Sequence, residues 1–328
     1  MRRREVLSLL GGALVSWPRL ADAQYADRLR EIGVLIGLAE NDPDVPPRIA
    51  NFEQGMRELG WFKGRNILIH YRFAAHSDQL KGYARELAFM QPDLIVAGSS
   101  PVVSALLQEA ATMPIVFVTS ANPVGTGFVT ALQRPGGNLT GFTNNHPSMG
   151  GKWLELLKQV APNVARVAIM FNPETSPGSA AYFVPSVEAA AASIAVQPFV
   201  VPVRSPTDIE TAFAELGPGQ GLVIIPDTFI VRHRALVIGQ AARFKVPAIY
   251  PARYFAMEGG LMSCGADMLD LYRRTPSYVD RILRGTKPAD LPVQAPSKVD
   301  LVINLRAAEA LGLSVPRIVI ARASEVIE

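Results

Sequence analysis

The sequence predicts an α/β protein with two doubly wound parallel-sheet lobes, and three observations carry that prediction. Short β-branched runs alternate with longer helical patterns along most of the chain, the signature of parallel strands joined by crossover helices. The order βαβαβαβ occurs twice. Two units also match in detail: DLIVAGS (93–99) leads through a helix to MPIVFVT (113–119), and GLVIIPD (221–227) leads through a helix to VPAIYPA (246–252). In each unit the helix stops just before a proline, because the residue preceding proline disfavours helix.

In chain order, the strands of the first lobe are EIGVLIG (31–37), ILIHYRF (67–73), DLIVAG (93–98) and IVFVT (115–119). Helices are expected between them at 48–59, 79–90 and 102–111. The second lobe takes strands at 166–171, 198–203, 221–225, 248–250 and 260–263, with helices at 150–160, 179–194, 207–216 and 231–244. After Cys264 the pattern changes. A long helix at 269–284 is followed by an extended run holding Pro288, Pro292 and Pro296, then by a strand at 299–303. Such a run suits a chain crossing back between lobes. The expected division is 24–145 with about 266–290 in one lobe, and 146–265 with about 291–328 in the other.

Residues 1–23 read as an export signal. Arg2, Arg3 and Arg4 precede an apolar stretch at 6–17, and Ala21-Asp22-Ala23 presents small residues two apart before Gln24, which together form a secretory signal peptide. The stretch is too short to span a hydrocarbon core, which takes about 20 apolar residues. Arg3-Arg4-Glu5-Val6-Leu7 matches the twin-arginine pattern except that Val6 stands where phenylalanine is usual. The expected mature protein is periplasmic and is cleaved near Ala23.

Removing 23 of 328 residues leaves 305, enough for two domains. The signal carries a net +2 of the chain's +3, so the mature surface is close to neutral. With no Lys/Arg run it offers no footprint for nucleic acid or anionic lipid. Cys264 is the sole cysteine, so the core and not disulfides must hold the fold. Histidines 70, 76, 146 and 233 show no metal-ligand spacing, and neither a metal nor a cofactor is expected.

Ligands of open parallel sheets bind beyond the carboxyl ends of the strands, so the residues there are the candidates. Gly98-Ser99-Ser100-Pro101 opens a helix, whose free N–H groups would receive a carboxylate. Ser100 serves either that purpose or the capping of its own helix. Thr119 and Asn122 follow the fourth strand. In the second lobe the matching positions are Asn172, Asp227, Thr228, Tyr250, Ser263 and Cys264. Asp227 suits a ligand ammonium or guanidinium, or an N-cap; Tyr250 suits a planar ligand, or the core. Two rows of small polar groups fit a small polar solute. No G-x-S-x-G, G-x-x-x-x-G-K-[ST] or G-x-G-x-x-G motif is present where catalysis or nucleotide binding would need it. Cys264 with His233 lacks the third group that orients a thiol nucleophile and its base. The expectation is a binding protein and not an enzyme.

Several stretches together resemble a family of bacterial solute-binding proteins of ABC transporters that includes tryptophan- and tyrosine-binding components. They are the RRREVLSLLGGALVSWP leader, ELGWFKGRNI at 58–67, Asn122-Pro123-Val124-Gly125, RPGGNLTG at 134–141, VPAIYPAR, GGLMSCG and the KPADLPVQAPSKVDLVINLRAAEALGL segment. The resemblance implies a type I periplasmic binding fold with three hinge crossings. It also implies a cleft lined by Ser99, Ser100, Thr119, Asn122, Asp227 and Cys264. An aspartate is commoner in the family where Asn122 stands, and a tyrosine where Cys264 stands, which weakens the case for an aromatic amino acid. The implied partners are a small-molecule ligand and an ABC permease in the inner membrane, with the protein itself a monomer. A periplasmic sensor feeding a receptor is the alternative, and an exported two-lobe hydrolase or transferase a further one.

Overall fold

A computed structural model describes residues 29–176 and 178–328; the expected signal peptide lies outside the described residues. The first sheet is wholly parallel, in the order β2-β1-β3-β4-β5. Its strands are β1 (Arg30–Ile36), β2 (Ile67–Phe73), β3 (Leu94–Ala97), β4 (Ile115–Ser120) and β5 (Leu139–Thr143), crossed by α1 (Val45–Glu58), α2 (Ser77–Met90) and α3 (Ser100–Glu109). One face of this sheet packs Phe52 and Met56 of α1, and the other packs Leu87 of α2 and Leu106 of α3. Burying each such side chain stabilises the lobe by about 1.5–3 kcal/mol.

The second sheet runs β12-β11-β10-β9-β8-β6-β7. It is formed by β6 (Arg166–Phe171), β7 (Gln197–Pro202), β8 (Gln220–Ile224), β9 (Ala248–Tyr250), β10 (Met262–Ala266), β11 (Val299–Asn304) and β12 (Glu325–Ile327). Pairing is parallel except between β10 and β11. The remaining helices of the chain are α4 (Met149–Val160), α5 (Ser179–Ile194), α6 (Pro206–Glu215), α7 (Thr228–Arg232), α8 (Arg234–Arg243), α9 (Arg253–Met257), α10 (Met268–Leu283), α11 (Leu305–Ala310) and α12 (Arg317–Ile320), of which α10 packs on the first lobe. Trp153 of α4 meets Phe183 of α5 at 5.2 Å between ring centroids, inside the core on one face. Phe213 and Phe255 fill the core on the other face.

Three passages join the lobes. The first runs from β5 to α4, and the second from β10 to α10, whose Leu271, Tyr272 and Val279 join the core of the first lobe. The third is the proline-rich segment. Gln294 donates to the Gly141 carbonyl at 3.0 Å and accepts from the Thr143 N–H at 2.8 Å, before β11 enters the second sheet.

The structure differs from the sequence reading at several elements, including the short helices α9, α11 and α12. β5 is an extra edge strand of the first sheet, too rich in threonine and glycine to show alternation. The helix expected at 231–244 is two, α7 and α8, broken at His233, whose backbone leaves helical geometry (φ −103°, ψ 20°). The first lobe keeps the returning segment to Gln294 and not only to about 290, because the edge of β5 pairs with it. β12 is a further strand that the sequence reading lacked, and it pairs with β11 in the second sheet.

Candidate functional site

The carboxyl ends of both sheets face one cleft, a cavity of about 100 Å³ between the lobes. This is where open α/β sheets place ligands. The first lobe contributes Gly37 after β1, Ser99 and Ser100 after β3, Thr119 near the end of β4, and Asn144 after β5. The second contributes Thr175 after β6, Asp227 and Thr228 after β8, and Ala252 and Tyr254 after β9.

The structure makes Ser99, not Ser100, the N-cap of α3, yet the Ser99 side chain does not cap. Its hydroxyl is buried without a hydrogen-bond partner among the described residues, although the residue is only 7% exposed. Ser100 Oγ donates to Ser120 Oγ at 3.3 Å, and Thr119 Oγ1 donates to the Gly98 carbonyl at 2.6 Å. Ser99 is thus the free hydroxyl of this wall. It has room because residue 37 is glycine: a Cβ there would stand 2.7 Å from Ser99 Oγ.

On the opposite wall Asp227 caps α7. Its Oδ1 accepts from the N–H groups of Phe229 (2.6 Å) and Ile230 (3.1 Å) and from the Thr175 hydroxyl (2.8 Å). Its Oδ2 accepts from the Asn172 N–H at 2.7 Å. Burial pushes the carboxyl up from its ordinary value, against the pull of these four donors. Thr228 Oγ1 is buried with no partner among the described residues and lines the cleft.

Five expected positions lie away from the cavity wall, one of them Ser263, whose hydroxyl is buried without a partner among the described residues. Asn172 is buried, and its Oδ1 closes a turn by accepting from the Glu174 N–H at 2.8 Å. Asn122 likewise closes a loop, accepting from the Gly125 N–H at 2.9 Å. Tyr250 is fully buried and stacks on Phe255 with centroids 4.8 Å apart, so its ring offers no face to a ligand. Cys264 is fully buried in the core, where its carbonyl accepts from Trp153 Nε1 at 2.6 Å. Burial pushes its thiol up, which makes it inert as a nucleophile.

Sequence reasoning missed Arg48, Asn144 and Tyr254. Arg48 lines the cleft at 7% exposure, donates from Nη2 to Asp44 Oδ2 at 3.0 Å, and lies 5.8 Å from the centroid of the Tyr272 ring. Burial pulls its guanidinium down, but Tyr272, Tyr254 and Asp44 around it raise the net value above the ordinary one. A signal was available: Arg48 stands in helical register with Val45, Phe52 and Met56, so it is a charge on the buried stripe of α1.

The profile of the family described as ABC transporter substrate binding protein matches residues 43–327. The chain belongs to this family. A tyrosine-binding protein of Clostridioides difficile (strain R20291) is 25% identical over 282 residues, covering 85% of this chain and 81% of that one. Among solved structures, a conserved domain protein of Vibrio cholerae superposes with a TM-score of 0.82 at 27% identity, covering 91% of this chain and all of the other. An ABC domain from Streptococcus pneumonia in complex with L-Trp gives 0.80 at 24% identity, covering 90% of this chain and all of its own. The substrate-binding protein thus has the type I periplasmic binding fold, and its family binds solutes without catalysis. Among the described residues no helix is long and apolar enough to cross a membrane.

Proposed function

We propose that this substrate-binding protein is exported, loses its signal near Ala23, and captures a small organic solute, an amino acid or carboxylate-like compound, for an ABC permease in the inner membrane. The cleft carries this reading: unpartnered hydroxyls from both lobes, Ser99 and Thr228, line one small cavity at the ends of two facing sheets. Buried hydroxyls lacking partners are costly, and a ligand bridging them recovers that cost only when both lobes are in place. Closure is then driven by contacts made in the closed state alone. Ser99, Ser100, Thr119, Asp227 and Thr228 form its walls, and the protein works as a monomer. The relatives support the class of solute, since one is a tyrosine-binding protein and another holds L-Trp.

A thermal-shift screen of amino acids and small carboxylates tests the reading. A solute present at 100 times its Kd stabilises the folded state by about 2.7 kcal/mol, and Ser99→Ala with Thr228→Val should remove most of that shift. N-terminal sequencing of the protein from a periplasmic extract should begin near Gln24. A screen with no stabiliser would exclude capture of such solutes.

A further inference from the structure

Resting on that reading, we infer that the solute is a carboxylate carrying a hydroxyl or oxo group and no ammonium, and that Arg48 holds its carboxylate. Among the described residues that line the cleft, the charged side chains are Arg48 and Asp227, and they are not equivalent. A carboxylate offers about four acceptor sites. Asp227 Oδ1 already accepts from Phe229, Ile230 and Thr175 and its Oδ2 from Asn172, so most of its acceptor capacity is committed to the fold. It serves as the knot that ties β6, β8 and α7 together.

Arg48 is in the opposite condition. Asp44 and the neighbouring Tyr272 do not exhaust its five N–H donors, its guanidinium is held in place over the Tyr272 ring, and it faces the cavity. A planar fork of donors fixed in a partly dry site matches a carboxylate in two parallel hydrogen bonds. Ser99 Oγ, on the same wall and without a partner, adds a further donor at the N-terminus of α3. The remaining unpartnered polar atoms of the cleft are neutral: Thr228 Oγ1 on the second lobe and Asn144 Oδ1 on the first. A neutral hydroxyl satisfies such atoms without adding charge, whereas an ammonium brought to the same cavity meets the charge of Arg48 and a carboxylate already engaged in four hydrogen bonds.

Matched pairs differing only in ammonium against hydroxyl test this by titration calorimetry on the purified protein: L-alanine and L-lactate, L-leucine and 2-hydroxyisocaproate, L-tyrosine and 4-hydroxyphenyllactate. At least one hydroxy acid should bind tenfold or more tightly than its amino acid. Arg48→Lys, which keeps the charge beside Asp44 but loses the fork, should weaken that acid tenfold or more while the melting temperature of the free protein stays within a few degrees. If Arg48→Lys lowers the melting temperature further, Ser99→Ala takes its place and should weaken the acid at least threefold. An amino acid that binds as tightly as its hydroxy acid overturns the inference and leaves solute capture standing, as does unchanged affinity in the variant that keeps its melting temperature. Binding by neither member of any pair overturns this inference, whereas the capture reading falls only if the wider thermal-shift screen also finds no stabiliser.

Discussion

At the scale of single residues, the cleft is a contrast between polar groups that are satisfied and polar groups that are not. Asp227 belongs to the first kind, and replacing it tests how much of the second lobe depends on it. Asp227→Ala strips α7 of its cap and leaves the Asn172 N–H buried without an acceptor, which together cost about 2–4 kcal/mol; urea unfolding should show the loss directly. His233, between α7 and α8, gives a pH-dependent counterpart. Burial and the nearby Arg232 lower its value from 6.5 in the fold. Between that lowered value and about 6.5 the unfolded chain binds more protons than the folded one, so stability rises with pH through this window and is lost as pH falls. The stability difference between the wild type and His233→Phe should therefore shift against the wild type from pH 7 to pH 5. A difference independent of pH would show that His233 titrates alike in both states.

At the scale of elements, glycines decide how closely strands approach. Gly141 of β5 has φ +151°, and a Cβ there would stand 1.9 Å from the Phe117 carbonyl of β4. No rotamer relieves a backbone clash, so Gly141→Ala should cost more than about 4 kcal/mol, read as loss of soluble protein or a collapse of the denaturation midpoint. The same strand shows where sequence reading stops. β1, β2, β4, β6 and β9 are apolar or alternating runs, legible because the period of a strand is short and its residues β-branched. LTGFT is interrupted by Thr140, Gly141 and Thr143, and EVI of β12 opens on a glutamate after Ser324, so neither reads as an apolar run. The cleft was half legible for a related reason. Ser99, Ser100, Thr119, Asp227 and Thr228 follow from strand ends, since topology alone places them. Tyr250 and Cys264 end or sit within strands of the same kind, but the alternation of the strand turns their side chains into the core. Arg48 comes from a helix face, which a search confined to strand ends does not reach.

At the scale of the whole molecule, the lobes are tied on one side of the cleft by an ion pair that crosses it. Arg234 of α8 donates from Nη1 to Asp42 Oδ2, between β1 and α1, at 3.0 Å and from Nε to Glu258 Oε1 of its own lobe at 2.8 Å. Val231 of α7 packs against the core of the first lobe beside it. The contact between Arg234 and Asp42 exists only while the lobes are together, so it contributes to closure and not to the fold of either lobe. The pair is largely shielded from solvent, its side chains 13% and 12% exposed, and with desolvation offsetting much of its attraction about 1 kcal/mol measures its net worth. Asp42→Asn should then lower the closed population and, because apparent affinity scales with the competent fraction, weaken the solute by up to about fivefold. The unfolding midpoint of the free protein should hardly move. Raising the salt concentration should weaken the solute more in the wild type than in Asp42→Asn, since screening removes a charge pair that the variant no longer has. Equal salt dependence in the two proteins would show that closure is driven by the packing of Val231 and by the ligand, with the ion pair contributing nothing.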